Sequence, residues 1–263
     1  MKIPLLSRRQ LLTSSFMGAA GLLASKSAAA ALGRACGLTP TQATGPFPPT
    51  PEQLAQQSDQ DWDLTRVTGK AERAKGQVIE ILGQVQNENC NPIPNATIEV
   101  WQACTSGKYN HPNDDSATWQ DPNFQYFGWA KTDAKGCYRL KTVIPGHYSN
   151  DPLPKDDPEH WERTPHIHFR VWVAGHFELV TQMYFEPSTF DYDPTLTPEY
   201  IEKLNFLDRL LRPVPAGEKD RIVIPFLSGA ARDGLIAKYG VPKSSVDPDA
   251  KAGEFTLVVT RAK

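Results

Sequence analysis

The chain has 263 residues, 40% of them hydrophobic and 22% charged, with a formal net charge of −2. This is ordinary globular composition, long enough for a sizeable core and compatible with one β-rich domain. Beyond the first thirty residues there is neither a Lys/Arg run nor an apolar stretch long enough to span a bilayer, which argues against a nucleic-acid partner and a membrane span.

The first thirty residues stand apart. Ser7-Arg8-Arg9-Gln10-Leu11-Leu12 is a twin-arginine signature, followed by a charge-free run over 10–25, Lys26, and an alanine-rich stretch over 28–31. Thr13, Ser14, Ser15, Gly18 and Gly21 dilute the apolar run. Residues 1–30 therefore read as a cleaved Tat signal, with an ordinary Sec signal as the alternative, and the protein as periplasmic or extracellular. The Tat route carries proteins already folded, which suits a cofactor loaded in the cytoplasm. Cleavage removes Lys2, Arg8, Arg9 and Lys26 and no acid, taking the net charge from −2 to −6. Cys36, Cys90, Cys104 and Cys137 remain. They lack CxxC spacing, which argues against structural zinc, and an oxidising compartment would allow one or two disulfides.

Residues 31–75 read as an N-terminal arm, because Pro40, Pro46, Pro48, Pro49 and Pro51 work against regular structure. Residues 76–263 read as the catalytic domain. Strands are expected over 77–86 and 96–104, joined by Asn89-Cys90-Asn91-Pro92. Those over 128–132 and 137–143 flank Asp133-Ala134-Lys135-Gly136 as a hairpin. Those over 166–173 and 177–185 flank Ala174-Gly175-His176, and 221–226 and 254–260 complete the set. A helix should start at a Thr197 cap with Pro198 at its first position, burying Ile201, Leu204, Leu207 and Leu211. A second, short helix is expected over 228–240 and a loop over 241–253. The sum is all-β: a single β-sandwich with a short helical insertion and an extended arm.

His166 and His168 share one face of their strand with Arg170 and Trp172, while Ile167, Phe169, Val171 and Val173 form an apolar opposite face. Two imidazoles on one face make a metal clamp. Tyr109 and Tyr148 each lie at a strand end. A phenolate is a hard anionic donor, so two of them beside the histidines favour Fe(III) over Zn(II) or Cu(I). Arg163, three residues before His166, is costly beside a cation unless anions share the site. Singly, each of these residues has an ordinary reading: a surface histidine or arginine, a half-buried packing tyrosine.

Together they resemble the intradiol ring-cleaving dioxygenases, most of all the protocatechuate 3,4-dioxygenase subunits. The matching segments are Leu38-Thr39-Pro40-Thr41-Gln42-Ala43-Thr44-Gly45-Pro46, Ala96-Thr97-Ile98-Glu99-Val100-Trp101-Gln102-Ala103, Gly107-Lys108-Tyr109, Asp121-Pro122-Asn123-Phe124, Thr132-Asp133 with Gly136-Cys137-Tyr138, Ile144-Pro145-Gly146-His147-Tyr148, and Arg163-Thr164-Pro165-His166-Ile167-His168-Phe169. The resemblance implies a mononuclear non-haem Fe(III) held by Tyr109, Tyr148, His166 and His168 with a solvent hydroxide. It implies a catechol-type substrate and O2, with Tyr148 and the hydroxide accepting the diol protons and a cis,cis-muconate as product. Arg163 matches the arginine that stabilises charge on the substrate, and Gln182 a glutamine near it. Association into a homo-oligomer or heteromer is implied by the same resemblance.

Two departures stand out. The protocatechuate enzymes typically carry Pro-Trp-Arg after the displaceable tyrosine, whereas Ser149-Asn150-Asp151 follow Tyr148 here and the loop to His166 is longer and acidic. A negative rim would disfavour a carboxylated substrate unless a lysine such as Lys108 offsets it, which keeps catechol or hydroxyquinol 1,2-dioxygenase activity in view. Export is the second departure, because such ring catabolism is usually cytoplasmic. A zinc or copper enzyme using His166 and His168, and a non-catalytic sandwich binding module, are the competing readings.

Overall fold

Val78, Ile79, Ile81, Leu82 and Val85 build the longest strand, β1 (Val78–Asn87), which is covered on both faces for most of its length. The computed structural model describes residues 36–261, apart from 58, 150, 158 and 177; the expected signal segment, residues 1–30, lies outside the described residues. Eight further strands follow: β2 (Thr97–Trp101), β3 (Phe127–Lys131), β4 (Cys137–Val143), β5 (His166–Trp172), β6 (Leu179–Phe185), β7 (Val223–Ile224), β8 (Lys251–Glu254) and β9 (Leu257–Val259). They form two mixed sheets. In the first, β1 pairs antiparallel with β4 on one side and parallel with β8 and then β9 on the other. The second runs β3-β2-β5-β6-β7, antiparallel except for the last pair.

The sheets face each other across a core that includes Ile79, Ile81, Leu140, Ile98, Phe169 and Met183, all essentially inaccessible. Phe255, between β8 and β9, reaches across to meet Phe169 edge-on at 4.9 Å between ring centroids. That crossing requires Gly83, because a Cβ there would lie 1.9 Å from the Phe255 carbonyl oxygen.

The expected sandwich is present, with local differences. Asp133–Gly136 does form a tight turn, its Asp133 side chain accepting the amides of Lys135 and Cys137 at 2.8 Å each. It is not a hairpin, however, since β3 belongs to the second sheet and β4 to the first. On one side of the turn Thr132 bonds Ile93 and Ala96, while on the other Cys137 pairs with Gln84. The strand expected over 254–260 is two strands, the earlier beginning at Lys251 inside the expected loop. Ala252 and Gly253 pair there because the space is small; a Cβ on Gly253 would strike the Phe226 ring.

Three helices matter here. In the arm, α1 (Pro51–Gln56) is closed by a reciprocal capping box between Thr50 and Gln53. α2 (Pro198–Leu207) begins at the expected Thr197 cap, and α3 (Gly229–Lys238) fills the second expected position. α2 stops at Asp208, so Leu211, though buried, is not on it. Asp208 ends the helix by taking the amides of Leu210 and Leu211 on its own carboxylate. Among the described residues no helix is long and apolar enough to cross a membrane.

The arm lies on both sheets. Thr39 exchanges hydrogen bonds with Val258, Gln42 donates to Val180, and Leu64 donates to Lys141. A Cys36–Cys90 disulfide ties its start to the turn after β1, leaving Cys104 and Cys137 as thiols.

Candidate metal centre

Alternation along β5 turns Ile167, Phe169 and Val171 inward and His166 and His168 to the outer face of the second sheet. Around the two histidines that face is nevertheless dry. Trp101, the register partner of His168 on β2, stacks flat on the His168 ring at 4.8 Å. The arm covers the rest. Gly45, with φ +75°, brings the backbone so close that a Cβ would sit 3.1 Å from His168 Cε1. Phe47 packs on Tyr109 and Tyr148, at 4.8 and 6.2 Å between centroids.

The tyrosines arrive from two loops. The Tyr109 amide donates to Asp114 Oδ2 at 2.7 Å, which fixes the turn after Gly107. Tyr148 exchanges two backbone hydrogen bonds with Arg163, at 3.1 and 2.8 Å. This isolated bridge delivers Tyr148 and Arg163 together to the start of β5. All four side chains named from the sequence meet. Ring centroids lie 5.5 Å apart for Tyr109 and Tyr148, 5.7 Å for Tyr148 and His166, and 4.9 Å for the two histidines.

The donor atoms are set for a cation. His166 Nδ1 is 2.7 Å from the Thr164 carbonyl, which can only accept, so Nδ1 carries the proton and the Nε2 lone pair is free. That Nε2 lies 3.4 Å from Tyr109 Oη, long for a hydrogen bond. Two donors each ~2 Å from one ion, at roughly 90–120° to each other, would be about 3–3.5 Å apart. Burial, followed by the Arg163 guanidinium, holds both imidazoles well below the ordinary histidine range, so both are neutral. Burial pushes the Tyr109 phenol well above its ordinary range, with Tyr148 adding to the effect. Burial raises Tyr148 as well, against the pull of Arg163. Tyr148 Oη and His168 Nδ1 are buried without a hydrogen-bond partner, which is costly unless another group completes the site. Neutral imidazoles, hard oxygen donors and an orphaned phenol fit a trivalent cation. Among the described residues no group of three or more His, Cys, Asp or Glu is placed to hold a metal ion, so a zinc or copper site on His166 and His168 finds no third ligand of those types.

The family model described as Dioxygenase matches residues 50–211. Over 181 residues, 68% of each chain, the sequence is 34% identical to the protocatechuate 3,4-dioxygenase beta chain of Burkholderia cepacia. The chain belongs to the intradiol ring-cleaving dioxygenases. It is also 31% identical to the catechol 1,2-dioxygenase of Acinetobacter baylyi over 124 residues, 45% of this chain and 39% of that one. Two solved structures share the fold. An intradiol ring-cleavage dioxygenase from Tetranychus urticae superposes with a TM-score of 0.55 at 21% identity, over 87% of this chain and 98% of that one. Catechol 1,2-dioxygenase from Acinetobacter sp. ADP1 gives 0.54 at 21%, over 92% and 68%.

In this family member Arg163 is no surface arginine; it is 3% exposed. Its Nε donates to Asp208 Oδ2 at 3.0 Å and its Nη2 to Gln182 Oε1. Burial works against its charge, but Tyr148 and Asp208 outweigh that and raise its pKa. Gln182, in register with His168, is fully buried rather than on a solvent face. Its Nε2 donates to the Ala43 carbonyl at 2.7 Å, and its Oε1 also accepts from Tyr184 Oη at 3.0 Å. Asp208, Tyr184, Trp101 and Asp114 are the supporting residues that reading the sequence missed. Only Trp101 carried a signal, since it lies in a segment that matches the family. The Lys108 ammonium is held by the Asp114 carboxylate at 3.1 Å and by the carbonyls of Asp114 and Ser116.

Proposed function

We propose that the protein cleaves a catechol-type diol between its two hydroxyl-bearing carbons with O2, giving a cis,cis-muconate-type product. It does so at a non-haem Fe(III) held by Tyr109, Tyr148, His166 and His168. The observation that carries this reading is the convergence of two phenols and two neutral imidazoles in one dry cluster, with Tyr109 Oη 3.4 Å from His166 Nε2. Bound Fe(III) supplies a Lewis acid that anchors both diol oxygens and opens the ring to O2.

The chain's own residues supply the rest. Tyr109 is 3% exposed with Phe47 at 4.8 Å, whereas Tyr148 is only half-buried and lies farther from Phe47, at 6.2 Å, so Tyr148 is the phenol freer to give way to an incoming diol. Held as a phenolate by the metal, its Oη would be the base that takes a diol proton. Arg163 places a fixed positive charge beside Tyr148, where negative charge on the bound diol gathers. Asp208 and Gln182 hold the guanidinium in place before the substrate arrives. Trp101, Phe47 and Gly45 exclude water from the histidine side.

The test is a visible absorption spectrum with a metal assay, before and after anaerobic addition of catechol. The expected result is about one iron per chain and a tyrosinate-to-Fe(III) band that shifts with catechol. An iron-loaded but colourless protein would reject the tyrosinate ligands. Export through the Tat route belongs to the same proposal. The Cys36–Cys90 disulfide supports the export itself, because such bonds persist in oxidising compartments.

A further inference from the structure

Four glutamines crowd the arm between 53 and 60, and the metal centre uses none of them. Gln53, Gln56 and Gln57 line a cavity of about 410 Å³ together with Asn110, Gln120 and Gln125. Six carboxamides thus border one space of a size that suits a small ligand. A second cavity of about 520 Å³ lies beside it and shares Gln53, Gln56, Asn110 and Gln120, so the same carboxamides border room for more than one ring.

The carboxamides are only partly used by the protein itself. Gln53 is spent: its Oε1 accepts the Thr50 amide at 3.0 Å and its Nε2 donates to the Asn110 carbonyl. Gln120 Nε2 donates to Asn110 Oδ1 at 2.9 Å, which leaves Gln120 Oε1 and Asn110 Nδ2 unused. Among the described residues the Gln56 side chain has no hydrogen-bond partner. Gln56, Asn110 and Gln120 are all exposed, so these unused groups are open to a ligand. The rim is also fixed in advance. The Gln53 bond to Asn110 ties α1 to the facing loop. Tyr126 sits at φ +68°, a costly conformation for a bulky residue, and its hydroxyl accepts the Asp121 amide at 2.7 Å, which sets the turn beside Gln120. Backbone strain of this kind gathers at ligand sites.

The charge pattern narrows the ligand. Among the described residues no Lys, Arg or His lines the first cavity, so an anion would find no counter-charge there. Its two acids are engaged, Asp59 by the Thr68 hydroxyl at 2.7 Å and Asp121 by the amides of Lys75 and Asn123 at 2.7 and 2.9 Å. A purely apolar ligand would strip the carboxamides of water with nothing in return. A hydroxyl both gives and takes a hydrogen bond, as the unused carboxamide groups do together. Val67 and Pro122 add apolar wall suited to the C–H groups of a sugar ring.

We infer that the carboxamide-lined cavity binds a neutral saccharide, whatever reaction the metal centre performs. An array of gluco-, xylo- and manno-oligosaccharides, with oligogalacturonates as the acidic comparison, tests this on the full chain, followed by calorimetry on the strongest binder. At least one neutral class should be retained, and the oligogalacturonates should not. Gln56→Ala combined with Gln120→Ala should weaken the calorimetric affinity at least about fivefold, the loss expected for two neutral hydrogen bonds. The thermal midpoint should not move, because both side chains are exposed. Each single variant should show part of the loss, and the singles decide if the double variant does not fold. Retention of no neutral class overturns the inference, as does binding of the oligogalacturonates as tight as that of any neutral class. Binding that the variants leave unchanged lies elsewhere on the surface and overturns it too.

Discussion

Around His166 and His168 the two faces of β5 are equally dry for different reasons. On the inner face Ile167, Phe169 and Val171 are buried by hydrophobic contact with the first sheet, as Phe169 against Phe255 illustrates. On the outer face His166 and His168 are buried by an aromatic neighbour, two tyrosine loops and a stretch of arm. The inner face gives stability and nothing chemical. The outer face leaves polar atoms unpaired, which costs stability unless a cation completes it. Alternation along a strand thus lets one seven-residue segment anchor a core and carry a reactive centre, with neither side compromising the other.

Substitutions on the two faces should separate these roles. His168→Ala removes a donor from the outer face only. Metal content should fall to near zero and ring cleavage below detection, while the thermal midpoint of the metal-free protein moves little; full iron content would mean the wrong donor set. Phe169→Ala, one residue away, should do the converse. It should cost about 3–5 kcal/mol of stability in denaturant titration, yet leave the remaining folded protein with its metal. Arg163→Ala should keep iron but lower kcat about 10²–10³-fold, as expected for a fixed charge beside the reacting diol; unchanged turnover would remove it from the reaction. Gly45→Ala is the finest probe. It forces a side chain into a left-handed backbone position and against His168 at 3.1 Å. About 1–2 kcal/mol of stability should be lost, with a measurable weakening of iron retention against a chelator.

How much of this was legible follows the range of each interaction. The His-x-His pair and its apolar counter-face could be read directly, because period two is local. The cap at Thr197 was equally local. Tyr109, Tyr148, Arg163 and Gln182 became visible as a group only through resemblance, since nothing near any one of them announces the others. Asp208 was invisible: it ends a helix as any aspartate might, and its ion pair reaches back 45 residues to Arg163. Asp133–Gly136 has the chemistry of a hairpin turn, yet the sheet each flanking strand joins is decided by Thr132 and Gln84, outside the turn. Lys251–Glu254 is poor strand material by composition, and becomes a strand because β1 has an open edge that admits only small residues.

The outer-face centre draws on the chain from Ala43 through Trp101, Tyr109, Tyr148 and Arg163 to Asp208. Most of its contacts join distant segments, and closure of such long loops comes late in folding. A growing chain that lacks Asp208 has no counter-charge for Arg163, and one whose first residues are not laid down has no lid over His168. The centre therefore cannot assemble on a partial chain. A metal would be captured only after folding had brought Ala43 and Asp208 to the same centre.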